Sequence, residues 1–128
     1  MPEVPAVPSG GLTARPGPAH VPLAEIVADA FSPNGTLAQT IPDFEPRAGQ
    51  AAMAAAVAQT IEAGGVLLAQ AGTGTGKTLA YLVPAILSRQ RVLVSTGTKN
   101  LQEQIYFKDI PALRDSLDVP FTATYMKG

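Results

Sequence analysis

Ala71-Gly72-Thr73-Gly74-Thr75-Gly76-Lys77-Thr78 is a glycine-rich run that closes on a lysine and a hydroxyl residue, directly after the apolar segment Val66-Leu67-Leu68-Ala69. Each residue type in it suits a phosphate. Glycines let the backbone curl with successive N–H groups facing an anion, the lysine supplies a compact positive charge for β- and γ-phosphates, and the threonine hydroxyl can ligate Mg²⁺. Counted back from Gly76-Lys77-Thr78, the opening position holds Ala71, so the pattern G-x-x-x-x-G-K-[ST] is met in its Ala-tolerant form. An ordinary glycine-rich turn would share this composition, and the neighbours decide between the two, because a phosphate loop joins a buried strand to a helix. Val66 to Gln70 reads as a short strand after the turn Gly64-Gly65, and Leu79, Tyr81, Leu82, Val83, Ile86 and Leu87 read as a largely buried helix. Both neighbours fit a nucleoside-triphosphate loop. Pro84, well past the first turn of that helix, is expected to kink it near Ala80 without disturbing the loop.

Working outward, Arg91 to Ser95 reads as a second strand, and the order strand, helix, strand argues for a parallel βαβ unit. Phe121 to Tyr125 alternates as a third strand after Pro120. Leu101 to Tyr106 reads as helix, interrupted by Pro111 and resumed over Leu113 to Leu117. Upstream, Arg47 to Ala63 has Met53, Val57 and Ile61 on one face and stops at Gly64-Gly65; that stripe is expected to pack into the core. Leu23 to Phe31 reads as an amphipathic helix ended by Ser32-Pro33-Asn34-Gly35, with a helical turn over Thr36 to Thr40. Residues 1–22 hold half of the 12 prolines. They are expected to form a disordered Pro/Gly-rich tail, since such a segment buries too little apolar surface to offset its ordering entropy. His20 is read as a solvated tail residue.

The 128 residues are 46% hydrophobic and carry a net charge of −1, which leaves room for one small domain and gives no bulk basic footprint for nucleic acid. Cysteine is absent, excluding disulfides and thiolate metal sites in this span. No secretory signal or membrane-length apolar run is visible, so a cytoplasmic location without membrane contact is the expectation.

Two stretches around the loop resemble the DinG/YoaA branch of superfamily 2 helicases, relatives of the eukaryotic XPD helicase. Phe44-Glu-Pro-Arg-Ala-Gly-Gln50 looks like that branch's Q-motif. The resemblance implies that Gln50 reads the adenine edge through its amide donor and acceptor, that Phe44 packs on the base, and that Arg47 lies close by. Val92-Leu-Val-Ser-Thr-Gly-Thr-Lys-Asn-Leu-Gln-Glu-Gln104 is similar to motif Ia, which implies that Ser95, Thr96, Thr98 and Lys99 contact the phosphates of single-stranded DNA. Helix capping by Thr96 or Thr98 is the alternative use of those hydroxyls, and the two uses are compatible.

The resemblance runs from about Leu37 to Gly128 and implies an α/β fold: an incomplete P-loop NTPase (RecA-like) parallel sheet with flanking helices, residues 23–128 forming the N-terminal part of the first motor domain. It further implies an ATP-dependent 5′–3′ DNA helicase in which Ala71 to Thr78 bind ATP, Lys77 and Thr78 are catalytic, and Thr78 holds Mg²⁺. A 4Fe-4S cluster is implied only for full-length relatives. After Lys77 the acids are Glu103, Asp109, Asp115 and Asp118, and none ends an apolar strand in an acidic pair. Hydrolysis needs such a group, so these residues read as an N-terminal fragment, inactive alone. A different P-loop ATPase or kinase, or a non-catalytic remnant, remain the alternatives.

Overall fold

A computed structural model describes residues 21–42, 44–70 and 76–126. Residues 1–20 of the expected Pro/Gly-rich tail, His20 among them, and loop positions Ala71 to Thr75 lie outside them, whereas Pro22 of that tail is ordered as the cap of the first helix. Among the described residues six α-helices follow in order: α1 (Leu23–Phe31), α2 (Thr36–Thr40), α3 (Ala48–Ala63), α4 (Lys77–Leu87), α5 (Lys99–Gln104) and α6 (Ile110–Leu117), with a π-helical turn at Ile105–Asp109 between the last two.

The helices form where sequence periodicity places them, because each has an apolar face to bury. α1 buries Leu23, Val27, Ala30 and Phe31, residues four or three apart. It packs against α3 and α4, which also pack against each other. The buried side of α3 differs in part from expectation. Gln50, Ala54 and Ala58 are its fully buried residues; Met53 and Ile61 pack against the same core as expected but are only partly covered, as is Val57. Alanines at four-residue spacing let the α4 backbone approach closely, and larger side chains are displaced to the flanks. α4 contributes Ala80, Leu82 and Val83 to the core and runs on through Pro84, itself fully buried. α2 is too short to be helical alone. Leu37, fully buried, ties it to the core, and α2 meets α6, where Leu113 is also fully buried. Gly35 starts α2 where a Cβ would overlap the Asp29 carbonyl oxygen, so only glycine lets the chain pass so near the end of α1.

The parallel α/β sheet expected from the sequence does not form: among the described residues there is no strand. Val66 to Gln70 and Arg91 to Ser95 are irregular and exposed, Leu68 and Leu93 at 92% and 94%. A parallel strand needs ladder partners and cover on both faces. Here α1, α3 and α4 bury their apolar faces against one another, and the βαβ reading loses its basis. The third expected strand docks through side chains instead. Tyr125 stacks on Tyr106 with ring centroids 4.4 Å apart, Arg114 sits 4.8 Å over the Phe121 ring, and the Gln102 amide donates to the Met126 carbonyl.

Pro111 also behaves differently from expectation. It lacks an N–H, and its ring crowds the carbonyl four residues back. The helix absorbs the conflict by widening into the π turn at Ile105–Asp109, so helical structure continues from Lys99 to Leu117. The widened turn leaves the Asp109 carboxyl partly buried, with Oδ2 lacking a hydrogen-bond partner among the described residues. Burial raises its pKa above the ordinary carboxylate value, opposed by the Lys108 charge and a Gln104 hydrogen bond. A raised native pKa means that the folded state holds the proton more tightly. Stability is therefore greatest below the unfolded value of about 3.9 and declines as pH rises through the native pKa. Asp109→Asn removes that loss and is expected to raise the melting temperature at pH 7 while leaving it nearly unchanged at pH 3. Melting curves of the two proteins at both pH values measure this; an equal difference at both would contradict it.

Candidate functional site

The described part of the loop meets α3 at one point. Gly76 adopts a left-handed conformation, φ 75° and ψ 33°, and precedes α4 directly. Its carbonyl accepts from the Ala80 N–H at 3.2 Å, the bond that opens the helix. It also accepts from Gln50 Nε2 at 3.2 Å. Gln50 is 5% exposed, and its second amide atom, Oε1, is buried with no hydrogen-bond partner among the described residues. A buried amide oxygen left so costs about 1–3 kcal/mol, and the group that would relieve it is a donor such as an N–H. Glycine at position 76 meets two demands. Its φ lies where L side chains are strained, and a Cβ would overlap Gln50 Nε2.

Around this point, Lys77 is exposed as the first residue of α4, and Thr78 is half-buried beside it. Free N–H groups and the positive end of the helix dipole gather at this terminus, which favours an anion. Of the other Q-motif-like residues, Phe44 packs against the core, its ring 6.3 Å from that of Phe31. Arg47 caps α3 by its backbone, its side chain half-exposed and 3.9 Å from Glu45. Gln50 and Gly76 are thus brought into contact, while Phe44 is held by α1. The sequence points to both Gln50 and Gly76 without joining them. The available signal is a glutamine in register with the alanines of a buried stripe, at Gln50, Ala54 and Ala58.

The second set of residues lies before and at the start of α5. Thr98 caps the helix, its Oγ1 accepting from the Leu101 N–H at 3.2 Å, and the Thr96 hydroxyl donates to the Thr98 carbonyl at 3.1 Å. Ser95 and Lys99 are exposed. Capping leaves the Thr98 hydroxyl proton available to an acceptor. No group of three or more His, Asp or Glu side chains among the described residues is arranged to hold a metal ion. No helix among them is long and apolar enough to cross a membrane. An open depression of about 540 Å³ near Asp29, Asn34 and Leu117 is lined by neither set of residues.

The DEAD/DEAH box helicase family profile matches residues 50–124, more than half of the chain, and the chain belongs to that family. Within it, the sequence is homologous to the DinG and YoaA helicases of superfamily 2. It is 47% identical over 102 residues to the ATP-dependent DNA helicase YoaA of Escherichia coli (strain K12), a span covering 80% of this chain and 16% of that relative. It is 45% identical over 102 residues to YoaA of Haemophilus influenzae, with the same shares. Identity to the ATP-dependent DNA helicase DinG of Escherichia coli (strain K12) is 46% over 99 residues, 72% of this chain and 14% of the relative. The chain therefore spans about one sixth of the length of these curated relatives. No solved structure matches it.

Proposed function

We propose that this chain is the nucleotide-binding segment of an ATP-dependent DNA helicase of the DinG/YoaA type. The observation that carries the reading is the meeting of the Gln50 amide with Gly76 at the start of α4, where a buried acceptor, a left-handed glycine, a lysine and a helix terminus converge. Triphosphate oxygens suit the Gly76 to Thr78 end of the loop and the Lys77 ammonium, and a purine amino group suits Gln50 Oε1. Mg²⁺ fits the Thr78 hydroxyl together with phosphate oxygens. When bound, it would screen the charge that builds on the phosphates during transfer. Phe44 serves the base site by anchoring the segment before α3 to the core, and Arg47 stands at the mouth of that segment.

Ser95, Thr96, Thr98 and Lys99 are proposed to bind the backbone of single-stranded DNA, the exposed Lys99 and the Thr98 hydroxyl carrying most of the contact. Their use is sequence-independent, so translocation in the 5′–3′ sense would not require reading a base. With no cysteine among the 128 residues, an iron–sulfur cluster in the intact protein would draw no ligand from this segment. The test is Mg-ATP hydrolysis by the intact protein with and without single-stranded DNA. Hydrolysis stimulated several-fold by the strand is expected; hydrolysis indifferent to it would point to another P-loop ATPase.

A further inference from the structure

We infer that the ring cluster of Tyr106, Phe107 and Tyr125 is a stacking platform for the bases of single-stranded DNA. The inference rests on reading Ser95 to Lys99 as a site for the backbone of such a strand. Tyr106 and Tyr125 stack with ring centroids 4.4 Å apart, and Phe107 meets both nearly edge-on, at 5.0 Å from Tyr106 and 5.4 Å from Tyr125. Contacts of that geometry brace the Phe107 ring from two sides. The core face of this stretch lies elsewhere, at Ile105 and Leu113, both buried. The three rings stand outside the core, with Phe107 61% exposed and Met126, next to Tyr125, 82% exposed. A single exposed apolar residue is ordinary on a protein surface. A braced cluster of three rings set apart from the core is a preformed apolar platform, whose side chains lose little further freedom when a flat ligand covers them.

The platform shares a helix face with the backbone site. Lys99, Gln102 and Tyr106 recur at i, i+3 and i+7, which places them on one side of α5 and the turn that follows it. Gln102 donates to the Met126 carbonyl and Tyr106 carries Tyr125, so residues 121–126 lie along the face that Lys99 begins. Seven residues of helix rise about 10 Å. At a rise of about 3.4 Å per nucleotide that is about three nucleotides, so one short strand reaches both. Lys99 at one end and Lys108, next to Phe107, are exposed. Cations beside open rings suit a polyanion with π faces better than an uncharged apolar peptide, since phosphate attraction joined to stacking is how single strands are held without sequence preference.

The test separates base from backbone. Affinities of the intact protein and its variants are measured for oligothymidylate and for an abasic strand of equal length, which keeps the phosphates and lacks the bases, with melting temperatures recorded alongside. Phe107→Ala and Phe107→Leu are each expected to weaken oligothymidylate about tenfold and to leave the abasic strand unchanged. Phe107→Trp, which keeps a ring, is expected to retain the affinity. Lys99→Ala is expected to weaken both strands by a similar factor, because it removes a phosphate contact. Should Phe107→Ala melt far below the parent, Phe107→Leu, which keeps most of the apolar contact without the ring, decides the matter. Oligothymidylate binding unchanged in a folded Phe107 variant would overturn the inference, and Lys99→Ala weakening both strands would leave the backbone reading intact. Equal weakening of the two strands by Phe107→Leu would also overturn it, since the ring would then act without a base. Failure of the unsubstituted protein to bind either strand would overturn both readings.

Discussion

Lys77→Ala is expected to lower Mg-ATP turnover by the intact protein at least about 100-fold, the scale on which a single charge-stabilising donor acts in transfer chemistry. Lys77 is exposed at the first position of α4 and makes no ion pair with a described residue, so it contributes little to folding. Its location follows from Gly76, whose left-handed backbone turns the chain into the helix. An ammonium there adds to the positive end of the helix dipole and has three donors for phosphate oxygens. Alanine removes the charge but favours the helix. The melting temperature should therefore stay within about 2 °C of the parent, because surface changes of this kind fall within about 0.5 kcal/mol. Turnover that survives the substitution would remove the phosphate role; a matching loss of stability would make Lys77 a structural residue.

Leu37→Ala is expected to destabilise the chain by about 3 kcal/mol, among the larger effects that a single truncation produces. Leu37 is fully buried and is the only buried residue of α2, a five-residue helix with no independent stability. Losing its side chain opens a cavity between α1 and α2 and frees the contact of α2 with α6. Stability of small domains is about 5–15 kcal/mol, so the change removes a large share of it. A fall in melting temperature of more than about 10 °C follows. Leu93→Ala is the control. Leu93 is 94% exposed, so its truncation is expected to cost less than about 0.5 kcal/mol. Equal losses at the two positions would mean that the segment around Leu93 is buried in solution and that the placement of the core is wrong.

Much of the helical content is legible because local signals agree there. Leu23 to Phe31 has apolar residues at helical spacing, Ser32-Pro33-Asn34-Gly35 ends it, and α1 stops at Phe31. Gly64 closes α3 as its turn chemistry indicates, and α4 begins at the Gly-Lys-Thr end of the loop. Pro111 is misleading since sequence alone equates an interior proline with a break, whereas a π turn can absorb the ring. The α3 stripe is legible only in part: Met53 and Ile61 pack against the core, but the fully buried positions are Ala54 and Ala58. Close helix contact with α4 selects the smaller side chains. The loop motif and the Gln50 segment stand out in the sequence as candidates, but the bond between Gln50 and Gly76 spans 26 positions and leaves no local trace.

Sequence by itself determined the span of α1 and α2, the end of α3 at Gly64 and the family, because these depend on local spacing and on the order of residue types. Tertiary structure alone decided whether the apolar runs at Val66 to Gln70 and Arg91 to Ser95 become strands, and among the described residues they do not. It also decided that Gln50 Nε2 is engaged by Gly76 while Oε1 finds no partner among the described residues. A helix satisfies its backbone within itself, whereas a strand or a buried amide is satisfied only by what another part of the chain brings to it.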